Sequence, residues 1–434
     1  MMVSIRFLSQ PEKCMNRVLF SSLLVISLLN NNNYVLGNNA GGCPSWHGAA
    51  CSLLLPKDVV YDTQIKNSLS KFRSKSLYFT TEEEEEDKNS LKGCSDFKNH
   101  VTLTLKGYKG GKMEDQINQD RSFIIPTYTI RKQQQDNDST ASTKEEFLSP
   151  SLSLMGVFDG HGNKGEIVSQ YSLDETPKRL ADKLETILNA KEDDEDTKIS
   201  MALKETFIEI DRDVPTAGIG GCTASIILRV GTKLYIANAG DSQSLVAYRE
   251  NSDSKDIKLL YVSREDKPHL PDERARIEKM GGQVYIPKDV EQESSRVLYR
   301  NPQTGSQSGL AMSRSIGDWE MVGAIAEPIV DIIDLKQYQT TDSCNDNEED
   351  KVCKATSSSS FADIFCISAT DGMMDYISPQ SLADVFASAF PPFSEENNNA
   401  PLLIAEDLII KAAKGWDSEM RGQYRDDIAI AATR

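Results

Sequence analysis

Apolar residues fall into two rhythms along this chain. Short runs dense in Val, Ile, Leu, Phe and Ala occupy 151–158, 224–230, 233–238, 258–262, 361–369 and 427–432. Their length and β-branched content mark them as strands. A different spacing, with apolar positions three and four apart, runs through 165–190, 199–212, 271–280 and 402–416 and predicts amphipathic helices. Strands and helices mixed in this way suit an α+β fold with a sheet-on-sheet core flanked by helices.

Chemistry appears where the strand-like runs stop. Val157-Phe158-Asp159-Gly160-His161-Gly162 delivers an acid, a glycine and an imidazole to one turn. There a carboxylate can hold a divalent cation, the glycine lets a backbone carbonyl approach the same ion, and the histidine can move a proton. The run 365–369 again leads into Asp371-Gly372, and Asp426-Asp427 precedes the run Ile428-Ala429-Ile430-Ala431. Carboxylates on neighbouring strands can converge, although each pair read singly could merely turn its own strand. Carboxylates plus a carbonyl form an all-oxygen donor set suited to hard cations such as Mg²⁺ or Mn²⁺, and four histidines in 434 residues argue against zinc.

Further short motifs fall between these. In order they are Gly221-Cys222-Thr223-Ala224, Ala237-Asn238-Ala239-Gly240-Asp241-Ser242, Asp266-Lys267-Pro268, Glu273-Arg274-Ala275-Arg276-Ile277 with Gly281-Gly282, Ser313-Arg314-Ser315-Ile316-Gly317-Asp318, and Glu327-Pro328. Together with the three acid-bearing stretches, this order resembles the metal-dependent serine/threonine protein phosphatases, the PPM or type 2C family, over 106–434. The resemblance implies an αββα sandwich of two antiparallel β-sheets flanked by helices, with a bimetal site at one edge. It implies two Mg²⁺ or Mn²⁺ ions, with a third looser position near Asp241, and hydrolysis of phosphoserine and phosphothreonine by a metal-bridging hydroxide. Asp159 would bridge both ions, the Gly160 carbonyl would bind the first, and Asp371 and Asp426 would bind the second. His161 would protonate the departing oxygen, and Asp318 would order the loop below the site. A plain turn remains the other reading of Asp241.

The front of the domain departs from the family pattern. Relatives carry an arginine three residues before Met-Glu-Asp that forks onto the substrate phosphate, and here that position is Gly110. Lys112 or Lys109 could replace it as a point charge, or both could be solvated surface residues. Two acids compete for the front position, where a carboxylate acts through metal-bound water. Asp120 is preferred because the strand-like run 121–126 follows it at once, with Asp115 as the alternative. Asn163, Gln243 and Met374 also differ from the usual pattern, and none of them removes a metal ligand. The missing arginine leaves a second reading open, a weak or silent pseudophosphatase that binds phosphoproteins.

Composition adds boundaries. A chain of 434 residues, 39% hydrophobic, can bury a sizeable core, and 98–434 is expected to form one phosphatase domain with inserted loops near 132–146 and 340–360. Ahead of it, 38–97 reads as a low-order extension whose acidic run, 82–87, is a solvated linker. The apolar run 18–29, preceded by Arg6, Lys13 and Arg17 and followed by Val35-Leu36-Gly37, reads as a signal peptide within 1–37. It is too short to span a bilayer unaided. A functional leader implies the secretory route or an organelle; otherwise the cytoplasm or nucleus is expected. Net charge is −18, which argues against nucleic acid as a partner. Phosphorylated proteins are the expected substrates and a monomer the expected state. Of eight cysteines, Cys222 and Cys366 fall in strand-like runs and read as core residues.

Overall fold

Both faces of the central strands are apolar, so each must be covered by a further layer. The computed structural model describes residues 99–434 except 113–114, 129–151, 191–193, 216–219, 251–253, 291–292, 339–362 and 391–399. The predicted leader, the N-terminal extension and both predicted insertions therefore lie outside the described residues. In chain order come β1 (His100–Leu105), β2 (Arg121–Ile125), β3 (Leu152–Phe158), β4 (Gly160–His161), α1 (Gly165–Ala190), α2 (Glu195–Asp213) and β5 (Gly221–Cys222). Next are β6 (Ala224–Val230), β7 (Lys233–Ala239), β8 (Gln243–Arg249), β9 (Lys258–Val262), α3 (Pro271–Lys279), β10 (Gln283–Tyr285), β11 (Arg296–Arg300) and β12 (Gln307–Leu310). The chain closes with β13 (Ile316–Gly317), β14 (Ile329–Asp334), β15 (Asp363–Ala369), α4 (Asp371–Met374), α5 (Pro379–Ala387), α6 (Ala400–Met420) and β16 (Ile428–Thr433).

Two five-stranded sheets, ordered β1-β16-β15-β8-β9 and β14-β7-β6-β3-β2, form the centre, and their strands pair antiparallel. Along β16, Ile428 and Ile430 face outward into a core shared with α5 and α6, while Ala429 and Ala431 face the opposite sheet. Along β3, Leu154 and Phe158 pack under α1 and α2, while Met155 and Val157 turn inward. The αββα expectation is met.

All the predicted strands and helices are present, with ends shifted by a few residues. Strands β1, β8, β10, β11, β12 and β14, the two-residue strands β4, β5 and β13, and helices α4 and α5 were not among them. Inward positions of β1 and β8, such as Thr102 and Ser244, are polar, and β14 exposes Asp331, so their apolar signal is diluted. Cys222 and Cys366 are buried, and burial pushes both thiols up to about 12. Among the described residues no helix is long and apolar enough to cross a membrane.

Helix α3 is anchored by charge. Glu273 is 1% exposed and accepts from Ser313 Oγ at 2.6 Å, Arg276 at 2.5 Å, Arg314 at 2.7 Å and Arg264 at 3.0 Å. Burial alone would raise its pKa, but Arg314, Ser313 and Arg276 outweigh that and hold it down at about 2. Its stabilising contribution is thus complete above the unfolded value near 4.3 and is lost as pH falls toward 2. Glu273→Gln is expected to destabilise the fold by about 3 kcal/mol at pH 7, because it leaves the half-buried guanidinium groups of Arg276 and Arg314 without their buried carboxylate. Urea unfolding should show the gap between wild type and variant closing between pH 4.5 and 2; a gap unchanged by pH would contradict the charge assignment.

Candidate active site

Four strand ends meet at one edge of the sandwich. In the second sheet, Arg121 pairs with Phe158, so Asp120 before β2 stands beside Asp159 after β3. In the first sheet, Ala369 pairs with Ile430, so Asp371 after β15 lies near Asp426 and Asp427 before β16. Asp427 stitches the two sheets together, accepting Gly107 N–H on Oδ1 at 2.6 Å and Gln119 N–H on Oδ2 at 3.1 Å. Thr370 adds a second tie: its hydroxyl donates to Asp120 Oδ2 at 2.8 Å and accepts from Ala429 N–H at 2.8 Å.

Close backbone approach makes this convergence possible. A Cβ at Gly372 would lie 1.9 Å from the Asp427 carbonyl oxygen, and one at Gly160 would lie 2.5 Å from that of Gln119. Backbone cannot move aside as a flexible side chain can. Gly372→Ala is expected to lower stability by about 3 kcal/mol through overpacking and to depress activity by parting Asp371 from Asp426. Thermal unfolding checks this, and an unchanged melting temperature would refute it.

Crowding acids raises their pKa values. Burial, then the fields of Asp120, Asp371 and Asp426, pushes Asp159 well above the usual carboxylate range, and Asp371 is pushed the same way by burial, Asp241, Asp426 and Asp375. The Asp159 and Asp371 carboxyls lie within hydrogen-bonding reach of each other, which raises Asp159 further. Asp120 is also raised, by burial and by Asp427 and Asp426. Two ammonium groups answer this charge. Lys109 Nζ lies 2.8 Å from Asp426 Oδ1 and 3.5 Å from Asp427 Oδ2. Lys267 Nζ lies 2.7 Å from Asp241 Oδ2. Burial would depress both lysines, yet the facing carboxylates hold each above the ordinary lysine range.

His161 lies on the β4-β5-β13 ladder. This pairs Gly160-His161 with Gly221-Cys222, and these in turn with Ile316-Gly317. Asp318 follows directly, in the left-handed region at φ 52°, with its N–H bonded to the Gly220 carbonyl at 3.1 Å. The sequence reading gave Asp318 only the ordering of a loop. Its Oδ2 in fact lies 2.6 Å from His161 Nε2 and accepts the Ser315 hydroxyl at 2.8 Å. Burial lowers the His161 pKa, but Asp318 and Asp241 more than reverse this, so it is raised. His161 Nδ1 is buried.

Of the residues singled out in the sequence, Asp120, Asp159, Gly160, His161, Asp241, Asp371, Asp426 and Lys109 come together at this edge. Asp115 and Lys112 stay exposed, Asp115 donating its N–H to the Lys112 carbonyl at 3.1 Å. Sequence reasoning missed Thr370, the contact of Lys267 and Asp375. Asp375 sits one helical turn beyond Asp371, with desolvation beside the acid cluster, partly opposed by Lys267, raising its pKa to about 6; the four-residue spacing was the available signal.

Among the described residues no three His, Cys, Asp or Glu side chains close around a point as a ready metal-holding group. The donor set nonetheless fits hard cations. Asp120 Oδ1, Asp241 Oδ1 and Asp371 Oδ1 are buried with no hydrogen-bond partner. Such oxygens need either a proton or a cation, and every side-chain donor in the set is a carboxylate oxygen.

The family model described as "Protein phosphatase 2C" matches residues 129–414, a span that contains Asp159, His161, Asp241 and Asp371 and leaves Asp120 and Asp426 outside. The chain is similar to two Arabidopsis thaliana proteins. It is 27% identical to "Probable protein phosphatase 2C 1" over 316 residues, covering 66% of this chain and 60% of that protein. It is 28% identical to "Probable protein phosphatase 2C 72" over 286 residues, covering 64% and 75%. The crystal structure of serine-threonine phosphatase 2C from Toxoplasma gondii superposes with a TM-score of 0.52 at 16% identity, covering 77% of this chain and 94% of that one. This last is a likeness of fold.

Proposed function

The chain belongs to the protein phosphatase 2C family, and we propose that it hydrolyses phosphoserine and phosphothreonine in protein substrates by direct attack of water on phosphorus. The observation that carries this reading is the convergence of Asp120, Asp159, Asp371 and Asp426 at one sandwich edge beside a histidine held by Asp318. The family uses Mg²⁺ or Mn²⁺. Here Asp159 and the Gly160 carbonyl would hold one ion, Asp159, Asp371 and Asp426 a second, with Asp120 acting through water and Asp241 serving a third. Bound ions supply Lewis-acid polarisation of the phosphoryl group and lower the pKa of water toward neutrality.

The remaining work falls to the chain's own groups. Burial keeps the nearby Cys222 thiol protonated, so this thiol does not compete with water as nucleophile. Lys109, with its ammonium among the acids, would neutralise a phosphate oxygen as a point charge, without the fork an arginine provides. Asp318 holds His161 through Nε2 and favours its protonated form, and His161 would hand that proton to the departing serine or threonine oxygen. A monomer whose catalytic domain spans 98–434 is the accompanying proposal. No observation favours the silent binding module, because the acid set is retained.

The test is hydrolysis of p-nitrophenyl phosphate and a phosphothreonine peptide by the purified full chain with Mn²⁺, with Mg²⁺ and with EDTA, beside Asp159→Ala. Metal-dependent release that is lost in the variant supports the reading. Release that persists in EDTA, or none from a folded chain with either metal, overturns it.

A further inference from the structure

The alternation that builds the sandwich fails at the end of the inter-sheet layer farthest from the acids. Strand β6 turns Ser225 and Ile227 inward: Ser225 Oγ meets Ser244 Oγ of the other sheet at 2.8 Å, and Ile227 lies between the sheets. Two residues on, the same face carries Arg229, where packing calls for an apolar side chain. Several inward positions around it are small or polar. Ser153 pairs with Arg229 across β3 and β6, and His100 pairs with Thr433 across β1 and β16, its Nδ1 lying 2.6 Å from Thr433 Oγ1. Strand β16 offers only Ala429 and Ala431 before that threonine. Sheets held about 10 Å apart cannot close over such residues. What results is a cavity of about 410 Å³ whose apolar wall includes Met155, Ile227, Leu234, Leu335, Ile364 and Cys366. This volume lies within the range of small-molecule sites, roughly 300–1,000 Å³.

Charge at the lining is one-sided. Asp363 is the carboxylate there, and it is already engaged by Arg249 and Arg434. Arg229 is exposed, donates Nε–H to the Gly231 carbonyl at 3.0 Å, and forms no ion pair with a carboxylate among the described residues. In a chain of net charge −18, a lining with an uncompensated guanidinium stands apart. We propose that this cavity binds an amphipathic monocarboxylate, its carboxylate forked by Arg229 at the mouth and its apolar body lying against Ile227, Leu234 and Ile364. One uncompensated guanidinium matches one carboxylate, which it can grip through two parallel N–H bonds. The apolar wall favours an aliphatic body withdrawn from water, and Arg229 with Arg434 disfavours a cationic head. The cavity lies at the Leu152 end of β3, and the acids lie beyond its Phe158 end, so the proposal is independent of the phosphatase reading.

The experiment is isothermal titration of the full chain with decanoate and with decyltrimethylammonium, each below its micelle threshold, on wild type, Arg229→Leu and the cavity-filling Ser153→Leu, with folding checked by thermal unfolding. Expected are one saturable site for decanoate on wild type, at least tenfold weaker binding in Arg229→Leu, loss in folded Ser153→Leu, and no site for the cationic amphiphile. Absence of saturable decanoate binding by folded wild type, equal binding of the cationic amphiphile, or undiminished binding by Arg229→Leu overturns the proposal. Arg229→Leu leaves the inter-sheet packing intact and serves alone if Ser153→Leu does not fold. Turnover by both variants should match wild type.

Discussion

Asp371→Asn is expected to reduce turnover about a thousandfold, on the order of 4 kcal/mol of barrier, while raising the melting temperature measured in EDTA. The two effects share one cause. Burial and the fields of Asp241, Asp426 and Asp375 raise the Asp371 pKa, so its ionised form is disfavoured in the fold. At neutral pH that charge works against folding, and the penalty fades as pH falls through the raised value. The amide removes the charge and with it one of the three carboxylates proposed to hold the second cation. Turnover should be measured on a phosphothreonine peptide with Mn²⁺, alongside thermal unfolding. Activity within tenfold of wild type would refute the ligand role. A lower melting temperature would mean that the hydrogen bond to Asp159 outweighs the repulsion.

Asp318→Asn is expected to lower kcat about a hundredfold on the phosphothreonine peptide and less than tenfold on p-nitrophenyl phosphate. Alkoxide is a poor leaving group and needs a proton as it departs, whereas nitrophenolate leaves without one. Asp318 acts through His161, which it meets at 2.6 Å, so it is a positioning residue. His161→Ala should therefore show the same split between substrates, and the double variant should lose little more than either alone. Equal losses on both substrates would assign Asp318 to the architecture of the loop instead.

The strand-end acids were legible because their signal is local. Asp159-Gly160 and Asp371-Gly372 announce a turn at the end of an apolar run, and the run and the turn lie within a few residues of each other. The preference for Asp120 over Asp115 rested on the same kind of evidence, an adjoining strand, and the structure buries the former and exposes the latter. Lys267 sat inside a recognised motif, yet nothing in Asp-Lys-Pro says that its ammonium reaches Asp241. Gly110 at the expected arginine position was visible as a departure; that Lys109 rather than Lys112 contacts Asp426 was not.

What the chain determines by itself is its local grammar: side chains alternating along strands, apolar stripes on helices, and the Asp-Gly corners at which strands stop. Those follow from dihedral preferences and from the need to bury apolar surface, which act over neighbouring residues. Only the tertiary structure decides which corners meet. His161 and Asp318 are 157 residues apart, and Asp427 is 320 from the Gly107 N–H that it accepts. Those meetings depend on strand order and register and on the stacking of one sheet against the other. Arg229 obeys the same division, since its inward position in β6 is a matter of alternation, but the cavity beside it arises from small residues on strands that pack there only once both sheets have formed.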